Sequence, residues 1–335
     1  AEIWASAAQA LSGHAVPRQT LVEAWRAVLL NQFHDIIPGS SIHRVYEEAE
    51  AAYAHVLATA AQVREDAQRA LATGAEALTV FNSLSWDRSA LVGLPEGWTG
   101  ASDSAGQALP VQQVDGQAYA RVQIPSVGWT TLKPGSAASV TGGVSATAKS
   151  LENDLIKVSL NDKGEISSIY DKAQERELLS GIGNRLSLYK DVPTGWDAWD
   201  LDSMYAELPV ALDDVATMEP VTNGALYGAV RVTRKLHDSS MTQVISLRAG
   251  SRLLTFETEI DWHERHKMLK VIFPVDIHAN EALHEIQFGH LARPNHRSRQ
   301  YDADRFEVAN HKWTALAEPG RGCAVLNDCK YGVSV

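Results

Sequence analysis

A chain of 335 residues with 45% apolar and 21% charged residues has the balance of an ordinary globular protein, long enough for two or three domains with their own cores. Its formal net charge of −11 argues against nucleic acid or an anionic membrane as a partner, and no run approaches the roughly 18 apolar residues of a membrane span. The two cysteines, Cys323 and Cys329, make no disulfide framework and read as small core residues of a reduced, cytoplasmic compartment.

The chain opens on Ala1-Glu2-Ile3-Trp4, which is already amphipathic helix, so no signal peptide is visible. A first helix is expected over residues 2–12, with Ile3, Ala7, Ala8 and Leu11 on one side and Gly13 as its stop. A second helix carries Leu21, Trp25, Val28, Leu29 and Gln32 at helical spacing, and Thr20 with Glu23 supplies a capping box. Pro38-Gly39 then turns the chain. Ser40 or Ser41 is expected to cap a third helix through Ile42, Val45, Tyr46, Ala49, Tyr53, Val56, Leu57 and Ala60. These three make an up-down-up bundle ending near Gly74.

The tip of this helical hairpin is unusual. Turn chemistry is normally polar, yet Phe33, Ile36 and Ile37 stand there beside a His34-Asp35 pair. Apolar residues at such a tip imply docking on another domain, with the His and Asp facing the docked surface. The bland alternative is a His that suits a helix C-terminus and an Asp that suits a turn.

From Leu78 the pattern changes to short strands: 78–81, 90–94, 118–124 and 129–132. Residues 134–147 are rich in Gly, Ser, Ala and Thr and read as a loop or linker. Beyond Leu151 the chain is almost entirely β. Asn161-Asp162-Lys163 marks a hairpin, and Leu254, Phe256, Thr258, Ile260 and Trp262 alternate, as do Leu269, Val271, Phe273 and Val275. Antiparallel sheets packed face to face are expected, with residues 263–267 as a charged hairpin tip between two strands. The organisation expected is therefore 1–75 three-helix bundle, 76–150 small β-sandwich domain and linker, and 151–335 β super-sandwich. With no initiator Met and an ending that alternates like the start of a strand, the chain is expected to be a fragment cut at both sides.

Three other constellations carry chemistry. Trp196 to Asp202 packs two indoles and three carboxylates into seven residues, a pattern suited to sugars, whose CH faces lie on aromatic rings and whose hydroxyls bond carboxylates. Its plainer reading is a structural loop whose tryptophans plug gaps between domains. His290, Arg293, His296 and Arg297 form a basic run in which Arg293 either reaches a ligand cleft or makes a rim salt bridge. His263-Glu264-x-His266 lacks the H-E-x-x-H spacing of a zinc protease and reads as a solvated tip. No phosphate loop, G-x-S-x-G elbow or CxxC pair is present.

The run from Leu29 to Ile42 (Leu-Leu-Asn-Gln-Phe-His-Asp-Ile-Ile-Pro-Gly-Ser-Ser-Ile), followed by Val45-Tyr46, resembles the segment that opens the helical middle domain of family 38 glycoside hydrolases, the α-mannosidases. Phe81 to Trp86 resembles that family's entry into its first β domain. Residues 196–200, 261–264, 269–275, 285–289 and 327–332 resemble landmarks of its C-terminal β super-sandwich, a galactose-mutarotase-like fold that would be truncated here. The resemblance implies a retaining α-mannosidase acting on terminal non-reducing α-D-mannose of a mannose-containing oligosaccharide, with His34 a ligand of zinc (or another divalent metal) and Asp35 holding sugar hydroxyls. Asp197 and Arg293 are further substrate-binding candidates. A zinc ion would bind hydroxyls of the terminal mannose and help distort its ring. The nucleophile, the acid/base and the other ligands are expected from an N-terminal catalytic domain of the same chain, since no H-x-D precedes His34. The residues present would then lack metal and activity. A homo-oligomer is left open. The alternatives are a non-catalytic carbohydrate-binding β-sandwich module and a mutarotase-like enzyme with a His/Glu pair, neither of which needs the His34-Asp35 segment.

Overall fold

Helix α1 spans Glu2–Ser12 and ends where Gly13 takes a left-handed φ of 75°, letting the Gly13 and His14 amides donate back to Gln9 and Ala8. A residue with a Cβ is strained in that conformation, and this stop is the one its sequence promises. The buried face is not the expected one. Trp4, Ala5 and Ala8 face inward while Ile3 and Leu11 are exposed, because the Trp4 indole packs edge-on against Phe81 at 4.9 Å and Trp129 at 6.3 Å. One large aromatic contact outweighs two aliphatic positions in setting the rotation of a short helix.

Helix α2 spans Arg18–Leu30, starting two residues before Thr20. No side chain caps it; the Pro17 carbonyl accepts the Leu21 amide, and Glu23 turns instead to the Gln19 amide at 2.8 Å. The capping box is thus absent, because Pro17 already fixes the entry and leaves Thr20 inside the first turn. Helix α3 spans His43–Leu71 without a side-chain cap, and neither Ser40 nor Ser41 serves as one. Both α1 and α2 pack on α3, around Leu21, Val63, Ala67 and Leu71.

The structure, a computed structural model, describes residues 1–335 except Thr73, Ala75, Thr141 and Ala198. The chain divides into two compact units: Ala1–Gly143 with Gly195–Asp200 and Gly224–Leu226, and Val144–Thr194 with Leu201–Asn223 and Tyr227–Val335. In the first unit the strands form two three-stranded antiparallel sheets. One joins Leu78–Asn82, Gly128–Pro134 and Ala101–Ser102, and the other joins Arg88–Gly93, Gln117–Ile124 and Val111–Val114. Alternation along Gln117–Ile124 buries Ala118, Ala120, Val122 and Ile124.

The stretch read as a linker, 134–147, is more ordered than its composition suggests. Pro134 ends a strand, Ala138 bridges Pro110, and Ser145–Thr147 is itself a strand; Thr141 lies outside the described residues.

The second unit is entirely built of antiparallel sheets apart from short helical turns. A five-stranded sheet (residues 145–177) and a four-stranded sheet (Thr217–Thr222, Tyr227–Leu236, Ser239–Arg248, Leu254–Asp261) share one core that includes Leu151, Val158, Ile166, Val230, Val232 and Ile245. Gly164, at φ 73°, turns the predicted hairpin between Ile156–Leu160 and Ile166–Asp171. The mainly β chain led by a three-helix bundle is as expected.

Residues 263–267 are not a hairpin tip. Leu254–Asp261 pairs with Ser239–Arg248, whereas Lys267–Ile272 pairs with Arg185–Lys190 in a different sheet. The connection is a corner between sheets, and Glu264 is buried in it. Its carboxylate pairs with the Lys267 ammonium and accepts bonds from the Asp238 amide (2.9 Å) and the Ser239 hydroxyl (3.2 Å). Lys267 above all holds that carboxyl below its ordinary range. His263, Arg265 and His266 remain exposed, so the stretch is largely solvated as its charges suggest, but it is a corner held by the buried Glu264 and not a hairpin tip.

Candidate functional site

Where α2 ends, Asn31 is buried and its amide side chain bonds the Ala27 carbonyl, closing the last turn. The Phe33 carbonyl then accepts the Ile36 and Ile37 amides, and Gly39, at φ 90°, reverses the chain. Two tyrosines of α3 staple this loop. Tyr53 offers its hydroxyl to the Asn31 carbonyl at 3.4 Å, and Tyr46 accepts the Ser41 amide at 2.7 Å. Around the Asp35 carbonyl the Ser41 hydroxyl donates at 2.7 Å, with those of Tyr46 and Ser40 at 3.3 and 3.4 Å. The serines expected to cap α3 are used here instead.

The result is a loop fixed through its backbone and open at its side chains. His34 and Asp35 stand beside one another, Nε2 to Oδ2 3.5 Å, with side chains 69% and 48% exposed. The Phe33 ring stacks obliquely on the imidazole at 4.3 Å. Phe33 and Ile37 are exposed, while Ile36 is half-buried. Leu29, Leu30 and Ile42, at the ends of the two helices, are exposed as well.

A second segment joins His34 from far along the sequence. Residues 195–200 belong to the first compact unit, and the Trp199 indole meets the His34 ring edge-on, 6.4 Å between centroids at 83°. The segment is a tight turn: Trp196, at φ 59°, accepts the Trp199 and Asp200 amides on its carbonyl at 2.8 and 2.9 Å. Trp196 is 79% exposed and Trp199 53%. Asp197 is exposed on the same turn; Ala198 lies outside the described residues. Asp202, in the second unit, is occupied with the Thr194 amide and hydroxyl.

Arg293 belongs to the second unit, on the strand Gly289–Pro294. It makes no rim salt bridge among the described residues. Its Nη1 is sealed from solvent without a hydrogen-bond partner, and its charge, after burial, helps to hold the His284 imidazole below its ordinary pKa. His284 is buried against the Thr314 hydroxyl at 3.1 Å.

The loop-stapling role of Tyr46 and Tyr53 was not visible in the helical spacing, which marks both as face residues. A tyrosine hydroxyl where a purely apolar side chain would serve packing alone was the available signal.

The Alpha mannosidase middle domain model matches residues 1–71, and the Glycosyl hydrolases family 38 C-terminal domain model matches residues 151–335. Among curated relatives, human Alpha-mannosidase 2C1 is 37% identical over 329 residues, covering 95% of this chain and 31% of its own length. Alpha-mannosidase G of Dictyostelium discoideum is 30% identical over 369 residues (94% and 33%), and the Saccharomyces cerevisiae Alpha-mannosidase is 29% identical over 336 residues (95% and 28%). The chain thus spans about a third of the length of these relatives. The crystal structure of an alpha-mannosidase from Enterococcus faecalis V583 superposes with a TM-score of 0.79 over 99% of this chain and 47% of its own, at 15% identity, which speaks to the fold alone. With more than half its residues matched by the C-terminal model, the chain belongs to glycosyl hydrolase family 38.

Proposed function

We propose that this chain is the helical and C-terminal β part of a retaining α-mannosidase, which removes terminal non-reducing α-D-mannose from mannose-containing oligosaccharides with the help of zinc. The observation that carries the reading is the tip: a loop pinned through the Asp35 backbone, presenting His34 and Asp35 outward amid exposed apolar residues. In this reading His34 gives one metal ligand and Asp35 accepts sugar hydroxyls, and the apolar rim seats a preceding catalytic domain that brings the nucleophile and the acid/base.

In this reading the residues present hold only part of the zinc site. A catalytic zinc takes about three protein ligands, and among the described residues no group of three or more His, Cys, Asp or Glu is placed to hold a metal. His34 and Asp35 are read as one part of a divided site, and the chain alone is expected to give no turnover. Cys329 is exposed and Cys323 only partly buried, so they are not the core residues expected, but as free thiols they support a reducing, cytoplasmic setting; no described helix is long and apolar enough to cross a membrane.

In the full-length protein, His34→Ala should lose stoichiometric metal together with nearly all turnover of a chromogenic α-mannoside. Full metal content with a normal rate would remove His34 from the site. A carbohydrate-binding module without catalysis, the second reading, is favoured by the two exposed indoles. It predicts sugar binding with no turnover in the full-length protein.

A further inference from the structure

We infer that the turn Trp196–Asp200 is a sugar platform, on which Trp199 carries the apolar face of a hexopyranose next to the one held at His34 and Asp35. This deepens the function proposed above and rests on it. Three observations point there. The indole of Trp199 is in ring contact with His34, so whatever His34 and Asp35 hold lies within reach of that indole. Both tryptophans of the turn are more than half exposed, although burying an indole is among the largest apolar gains open to a side chain. The turn is also built for presentation. Its two backbone bonds converge on the Trp196 carbonyl, and Trp196 is held at a positive φ that a bulky residue adopts only where the surroundings impose it.

The chemistry fits one class of ligand. A pyranose ring has a face of CH groups bordered by equatorial hydroxyls, and needs an aromatic plane with acceptors at its rim. The turn supplies Trp196 and Trp199 as planes, with the Asp197 and Asp200 carboxylates on the same five residues. A planar aromatic cofactor would not call for carboxylates, and a peptide would not call for the neighbouring His34-Asp35 pair. The two indoles, three residues apart, suit a chain of sugars better than one. The platform thus gives the site a preference for an oligosaccharide over a single mannoside.

The test uses the full-length protein, with Trp199→Ala, Trp199→Phe and Trp196→Ala compared on α-linked mannobiose and on methyl α-mannoside. Metal content and tryptophan fluorescence during sugar titration are read alongside the kinetics. Expected for Trp199→Ala is a KM on mannobiose raised about tenfold, more than kcat falls, with metal retained and with partial rescue by Trp199→Phe. An unchanged KM on mannobiose in both Trp199 variants would overturn the platform, as would loss of metal in Trp199→Ala, which would make the indole a prop for His34. If the wild type binds mannobiose by fluorescence without hydrolysing it, and Trp199→Ala abolishes that binding, the platform stands and the mannosidase reading falls.

Discussion

At Asp35 the backbone and the side chain do different work. The carbonyl is held by the Ser41 hydroxyl and backed by Tyr46, while the carboxylate stands half-exposed with His34 as its neighbour. Anchoring does not depend on the carboxylate, so changing it should leave the loop in place. Asp35→Asn is therefore expected to keep the native circular dichroism spectrum. In the full-length enzyme it should lower kcat/KM on α-mannosides by on the order of 10²-fold, about 3 kcal/mol, because charge-assisted bonds to sugar hydroxyls become neutral ones. An unchanged kcat/KM would show that the carboxylate does not meet the substrate in the transition state. The contrast with Arg293 is instructive: its sequence context suggested a ligand cleft or a rim salt bridge, yet one of its nitrogens is enclosed without a hydrogen-bond partner.

Among the elements, the hairpin at Gly164 is the tightest constraint. Its φ of 73° excludes most residues, and a Cβ there would collide with the Cγ1 of Val232 in the facing sheet. Gly164→Ala should destabilise the second unit by roughly 1–3 kcal/mol, from backbone strain and overpacking together. Thermal unfolding followed by circular dichroism would read this as a lowered transition; an unmoved transition would mean that the two layers yield at no cost. The asparagine-led turn before Gly164 announces itself in the sequence because the signal is local. So do the Gly13 stop and the strand alternation. Which sheet a strand joins is not local: Leu254–Asp261 and Lys267–Ile272 both alternate, and nothing in their own residues says that they part company at Glu264. Helix starts were misjudged for a related reason. Thr20 and Ser41 are good caps in isolation, but Pro17 and the Asp35 carbonyl engaged the neighbourhood first. The His34-Asp35 pair was legible because apolar residues flank it where a turn should be polar. Its contact with Trp199 was not, since no periodicity links residues that far apart.

For the whole molecule, the exposed surface of Leu29, Leu30, Phe33, Ile37 and Ile42 is the feature that needs a counterpart. Each such side chain gains about 1.5–3 kcal/mol when fully buried, enough together to seat another domain. The chain of residues 1–335 taken alone should therefore bind zinc without a tight site in calorimetric titration and give background rates on α-mannosides. Micromolar zinc binding that disappears in His34→Ala, together with hydrolysis by this chain alone, would overturn the divided site. The turn 195–200 has a consequence of a different kind, in time. The helices and the His34 loop are synthesised well before residues 195–200 and 224–226, which the same unit also claims. A ribosome must add more than 50 residues beyond Gly143 before Trp199 exists to meet His34, and those intervening residues belong to the second unit until the turn is reached. On the growing chain the first unit thus waits, incomplete at its working end, while strands of the second are already emerging, and its final contacts close among its last.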